Sequence, residues 1–277
     1  SEAIEVTGHF IDQGPVVQVR DLDSARAKVL EDELPGVLWN GPLVLICDRM
    51  SASASEIFAG AIKDYHRGII VGDTTTHGKG TVQNLMDVAP SRMFSLLGAP
   101  DRGKLKLTIQ QFYRVNGDST QNRGVRSDIV LPSLLDHYDA GESFLEHALP
   151  FHTIQAARYA VNSLASPEVI SALQQLSQPR VAADADFQKL QRIIDRFVAR
   201  KNRETVPLNE EELRRDRKEG ATDDHAVNEL TESLEDEGTT APDPKKPIFP
   251  KSGYNDEVLN ITLDYVNLIN NRVTVKR

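Results

Sequence analysis

Short apolar runs and one amphipathic stretch alternate through the first half of the chain. "GPVVQVRD" (Gly14–Asp21) is rich in β-branched residues and opens on a Gly-Pro turn signal, which predicts a strand. "PLVLICD" (Pro42–Asp48) and "GIIVGD" (Gly68–Asp73) are almost wholly apolar, the pattern of strands covered on both faces. Between them Ile57, Phe58, Ala61, Ile62 and Tyr65 recur at helical spacing, so a helix is expected over Ser53–His66. Strand, helix and strand within about 30 residues suit a right-handed crossover between parallel strands. "VQNLMDV" and "KLKLTIQQFYRVNG" alternate as further strands, the second ending in a turn at Asn116-Gly117. The first 20 residues read as a strand, a turn and a second strand.

The texture changes after Pro150. "TIQAARYAVNSL", "SPEVISALQQLS" and "DFQKLQRIIDRFVARKNRE" carry apolar residues at i, i+3 and i+4 with little β signal, and Ser166-Pro167 is a good helix start. Charge dominates from Glu204 to Gly238, and an acidic, solvated linker is expected near residues 204–250. "DEVLNITLDYVNLIN" is a last amphipathic helix. The expected architecture is an α/β core over residues 1–150 and a mainly helical region over 151–277.

Composition narrows the function classes. A net charge of −9 argues against a nucleic-acid binder, which normally carries a basic patch. Cys47, the single cysteine, lies in an apolar run and reads as a small buried side chain. No apolar stretch reaches the roughly 20 residues needed to cross a bilayer. "SEAIEVTGHF" has neither a charged n-region nor an apolar h-region, and the chain is expected to be a piece of a longer polypeptide. No His, Cys and carboxylate cluster has ligand spacing, so neither metal nor cofactor is expected.

The candidate chemistry lies in "MSASASEIFAGAIKDYHRGIIVGDTTTHGKGTVQ" (Met50–Gln83). Ser53 stands where a buried strand gives way to a helix, a place where α/β folds form sites and where free N–H groups gather. The next N–H, on Ala54, is placed to hold a developing oxyanion. An alcohol needs a base, and Lys79, 26 residues on, follows the second strand of the crossover, whose loop opens on the same edge. The other reading needs no catalysis: Ser53 and Glu56 fit an S-x-x-E capping box, and Lys79 between Gly78 and Gly80 fits a surface turn. Ser51 and Ser55 are the alternative nucleophiles, Ser51 better suited to a turn hydrogen bond. "GDTTTHGKGT" fails as a phosphate-binding loop, because five residues rather than four separate Gly72 from Gly78, and Gly80 replaces the Ser/Thr. Asp64 has a simple alternative as a solvated partner for Lys63, His66 or Arg67. Tyr113 and Arg114 are alternating strand residues, with core and surface roles.

Taken whole, "SASASEIFAGAIKDYHRGIIVGDTTTHGKGTVQ" resembles the core of the C-terminal processing peptidases, and among them the tail-specific protease subgroup. The likeness continues through "IQQFYRVNGDSTQNRGVRSDIVLPS" (Ile109–Ser133) and "EHALP" (Glu146–Pro150), and faintly through the helical tail. It implies a crotonase/Clp-protease-like core and a serine endopeptidase with a Ser/Lys dyad. Carried over by motif, Ser53 is the nucleophile and Lys79 the base, Asp64 supports activity, and Gln83 and Thr76 help orient the lysine. The implied partners are unfolded or tagged proteins bearing apolar C-terminal tails, with an adaptor protein possible. The implied location is the periplasm or cell envelope of a bacterium.

Two departures stand out. His77 replaces the family's phenylalanine, and an exposed loop histidine is expected. "DTTTH" is one residue longer than the usual loop, and the extra residue is expected to form a bulge before Lys79. The family's N-x-G-G turn, its second oxyanion donor, and its PDZ domain are not found before Ser53, so the isolated chain is expected to be inactive or nearly so. A non-catalytic scaffold keeping the peptidase fold is the competing class.

Overall fold

The computed structural model describes residues 2–24, 26–88, 103–205, 208–218, 220 and 249–275. Most of the expected acidic linker, including "LTESLEDEGTTAPDPKKP", lies outside them. Two compact units result, one of residues 1–128 and 140–167, the other of 129–139 and 168–277.

In the first unit, helix α1 (Glu2–Gly8) precedes β1 (Gly14–Asp21), β2 (Lys28–Asp32), β3 (Val44–Cys47), α2 (Ala54–Asp64), β4 (Ile69–Gly72), β5 (Thr81–Asp87) and β6 (Lys104–Tyr113). β3 and β4 pair in parallel, Val44 beside Ile69 and Cys47 beside Gly72, with α2 as the crossover. All four residues of β4 are buried, as the continuous apolar run requires. β2, β1, β6 and β5 form an antiparallel sheet in that order, and a bulge interrupts β5 between Val82 and Gln83.

α2 holds the unit together. Its inner face sets Ala61 and Tyr65 against Ile11, Val16 and Val115, while Ala59 packs with Cys47, Ile70 and Val125. Tyr65 Oη donates to Pro15 O at 2.9 Å, so even the polar tip of this buried ring is satisfied. Burial pushes the Cys47 thiol up to about 12, with Asp48, Glu56 and Asp73 adding to the rise.

Two expectations are overturned. Residues 2–8 are helical: "AIEV" is too short a β-branched run to fix a strand, and Glu2 and Glu5 in the first turn suit a helix N-terminus. "TIQAARYAVNSL" is not helical. Its amides are taken by distant carbonyls instead, Ile154 N to Gly117 O and Ala157 N to Val115 O at 2.8 Å, and Asn162 N to Tyr65 O at 2.7 Å. This tertiary pairing overrides a weak propensity.

In the second unit the helices α3 (Pro167–Ala183), α4 (Ala185–Lys201) and α5 (Gly253–Val275) match the expected helical region. Asp184 caps α4 by accepting from the amides of Asp186 and Phe187. Arg180 binds the nearly buried Glu257 and also Asp264 at 2.8 Å, tying α3 to α5.

Candidate active site

Ser53 caps α2 in a backbone conformation that non-glycine residues rarely adopt, with φ 56° and ψ −108°. Such strain costs about 1–3 kcal/mol and persists only where the surroundings over-determine it. Here the surroundings are one carboxylate. Glu56, fully buried on the first turn of α2, accepts from Ser53 N at 2.8 Å and from Lys79 N at 2.9 Å through the same oxygen, Oε2. The two backbone nitrogens are therefore within about 6 Å of each other, two hydrogen-bond lengths across one atom. Its other oxygen, Oε1, accepts from Thr76 Oγ1 at 2.6 Å and Gly78 N at 2.7 Å. Burial pushes the Glu56 carboxyl up, and its four donors pull the other way. The capping box is thus present, but its glutamate does far more than cap a helix. The Ser53 hydroxyl itself faces the Glu56 amide without a well-formed cap hydrogen bond.

From His77 to Gly80, the segment carrying Lys79 has every backbone polar group used. His77 N donates to Ser51 O, and His77 O accepts from Glu142 N. Gly78 O accepts from Asn122 N, and Lys79 O from Thr120 Oγ1. Gly80 N donates to Gln121 Oε1, and Gly80 O accepts from Phe112 N. Both glycines are required. Gly78 has φ 94°, and a Cβ on Gly80 would stand 2.6 Å from Ser119 Oγ and 2.7 Å from Gln121 N.

Ser53 and Lys79 are both half-buried. Lys79 Nζ makes no hydrogen bond with Ser53 Oγ. Ala54 N, at the start of α2, has no hydrogen-bond acceptor among the described residues. Ser51 is committed to its turn, donating to Asp48 Oδ1 at 2.9 Å, and Ser55 is exposed on the first helical turn.

The remaining candidates are placed less directly. Thr76 is buried, and its hydroxyl serves Glu56 and the Val125 amide rather than Lys79. Gln83 is exposed at the β5 bulge and is not bonded to Lys79. Asp64 ends α2, about 16 Å along the helix from Ser53 at 1.5 Å per residue. It is buried and held by the guanidinium of Arg114, fifty residues away in sequence, not by Lys63, His66 or Arg67. Burial raises its pKa, and Arg114 opposes the rise. Removing either member of a buried pair typically costs about 3–5 kcal/mol. Asp64→Ala and Arg114→Ala should each lose stability of that order in denaturant unfolding, and the double variant less than the sum of the two; full additivity would rule the pairing out. His77 also differs from expectation. Its Nδ1 is buried rather than exposed, for Glu142 and the Ser51 carbonyl enclose the loop.

Sequence reasoning did not reach Glu142 or Gln121, which complete the Lys79 loop from distant segments. No local pattern marks them. Among the described residues no group of three or more His, Cys, Asp or Glu is placed to hold a metal ion.

Comparison with known proteins follows the same lines. The model of peptidase family S41 matches residues 1–131, and that of the C-terminal domain of tail-specific protease matches residues 135–267. The chain belongs to peptidase family S41. It is 39% identical over 216 residues to a tail-specific protease of Haemophilus influenzae, covering 76% of this chain and 30% of that protein. A carboxy-terminal-processing protease of Bartonella bacilliformis is 33% identical over 150 residues, covering 52% of this chain and 32% of that one. Among solved structures, a photosystem II D1 C-terminal processing protease is 28% identical, with a TM-score of 0.37 over 47% of this chain and 30% of that chain. The S41 chain thus spans about a third of the length of the curated relatives it matches.

Proposed function

We propose that the full-length S41 protein is a serine endopeptidase in which Ser53 is the nucleophile and Lys79 the general base. The observation that carries this reading is the shared Glu56 oxygen, which fixes a strained serine and a fully bonded lysine loop side by side. Strain of this kind gathers at functional sites, and a helix cap or surface turn does not need it.

In the mechanism, Lys79 Nζ in its free-base form takes the Ser53 hydroxyl proton as Oγ attacks a peptide carbonyl. The Ala54 N–H, at the positive end of α2, stabilises the oxyanion. The resulting ammonium returns the proton to the leaving amine, and the acyl-enzyme forms. Lys79 then deprotonates water, which releases the acyl group and restores Ser53. Asp64 supports this chemistry by holding the end of α2 through Arg114, at a distance from the reacting atoms. The substrates are proteins with apolar C-terminal tails and the place of action is the bacterial cell envelope, as the family resemblance implies.

A fluorophosphonate, which phosphonylates activated serines with loss of fluoride, tests the assignment. Mass spectrometry of the labelled full-length protein is expected to find the adduct on Ser53, and at most a trace in the Lys79→Ala variant. An adduct on Ser51 or Ser55, or equal labelling without Lys79, would overturn it.

A further inference from the structure

Glu142 reaches the Lys79 loop from both sides. It follows Gly141, whose φ of 111° turns the chain inward, and it is nearly buried. On one side its amide donates to His77 O at 3.0 Å. On the other its Oε1 accepts from Gln121 Nε2 at 3.2 Å, and Gln121 Oε1 in turn accepts from Gly80 N at 2.8 Å. The second carboxylate oxygen, Oε2, faces His77 Nδ1 at 3.9 Å. That distance is beyond a hydrogen bond, and Nδ1 is buried without a hydrogen-bond partner among the described residues.

A buried nitrogen left unpaired costs about 1–3 kcal/mol, so its retention beside a carboxylate calls for a reason. We propose that Glu142 is a positioning residue for the Lys79 peptide, and that His77 makes this brace proton-sensitive. With His77 neutral, the loop is held by Glu142 through the His77 carbonyl and the Gly80 amide. Protonating His77 draws Nδ1 the remaining ångström onto Glu142 Oε2. The same carboxylate carries the Gln121–Gly80 link, so the pull is transmitted across Lys79. The brace stands on geometry alone; only its effect on turnover rests on Lys79 being the base.

The groups facing His77 set the direction. Burial lowers its pKa; Glu142 raises it, while Arg49 and Lys79 lower it. Arg49 lies close by, its Nε on Ala140 O at 2.9 Å and its Nη1 directed at Thr76 O. With the folded value below the unfolded value of about 6.5, His77 costs nothing above that pH. Its share of stability is lost as pH falls through the folded value.

The test is a pH titration of the full-length protein labelled with 15N-glycine and ring-13C-histidine, with His77→Phe identifying the His77 signal. His77 is expected to titrate below about 6.5, with the Gly78 and Gly80 amides shifting at the same midpoint. Glu142→Gln should lower that midpoint further and uncouple Gly80. His77→Phe should abolish the shared amide titration. In proteolysis, the wild type should lose about tenfold more kcat/KM than His77→Phe as His77 becomes charged, the scale of a small misplacement of a catalytic group. Glycine amides that ignore the His77 midpoint, or a midpoint indifferent to Glu142→Gln, would overturn the brace. Those readings need no proteolytic activity, so they separate its failure from failure of the peptidase reading.

Discussion

Alanine at Ser53 in the full-length protein is expected to reduce peptide-bond cleavage to background, and alanine at Lys79 to do the same. For residues acting as one unit, either loss typically costs about as much as losing both, on the order of 10⁴–10⁶ in kcat. Non-additivity follows from the proposed mechanism, in which Ser53 without a base has only an unactivated alcohol, and Lys79 without Ser53 has nothing to deprotonate. Cleavage of an unfolded protein by purified variants gives the rates, and circular dichroism confirms that the fold is kept. The decisive comparison is the double variant. If Ser53→Ala/Lys79→Ala is far slower than either single variant, the two residues act independently and the dyad is wrong. Lys79→Arg is informative too: its guanidinium cannot lose a proton, and the variant should be as inactive as alanine.

Glu56→Ala is expected to be the most damaging substitution of a residue that touches no substrate. Its side chain satisfies three backbone amides and one hydroxyl inside the protein. Each donor left unpaired costs about 1–3 kcal/mol, and entering water will recover part of that, so a net loss of at least about 3 kcal/mol should appear in denaturant unfolding. Activity should fall further than stability explains, because Ser53 and Lys79 lose their common anchor; a displacement near 1 Å at such a site is worth about 10²-fold. Glu56→Gln separates the two effects. It keeps the volume but must set an NH₂ against donors, opposing either the Ser53 and Lys79 amides or the Gly78 amide. Normal kcat/KM in folded Glu56→Gln would show that the shared oxygen does not position the pair.

How much was legible in the sequence follows from the range of the interactions. The β3–α2–β4 crossover could be read because each element declares itself within its own residues: two closed apolar runs, and a helix with Ile57, Ala61 and Tyr65 on one face. The capping serine and glutamate were visible for the same reason. β2 was missed, since "KVLED" is short, charged at both ends and mostly exposed. Residues 153–164 were misread because alanine and leucine at helical spacing say nothing of the carbonyls of Val115 and Gly117 waiting to pair with them. The site shows the same division. Ser53 and Lys79 stood out by motif, whereas Arg114 on Asp64, Glu56 on Lys79 and Glu142 on both flanks of that lysine are contacts across 50, 23 and more than 60 positions. Their existence depends on the finished fold.

The sealed thiol of Cys47 opens an experimental route. At neutral pH it remains protonated and out of contact with solvent, so electrophilic reagents find no thiolate there. Within this chain, a cysteine introduced at Ser53 would then be the one thiol open to attack. A spin label or fluorophore attached at that point would report substrate arrival without any background from the native cysteine.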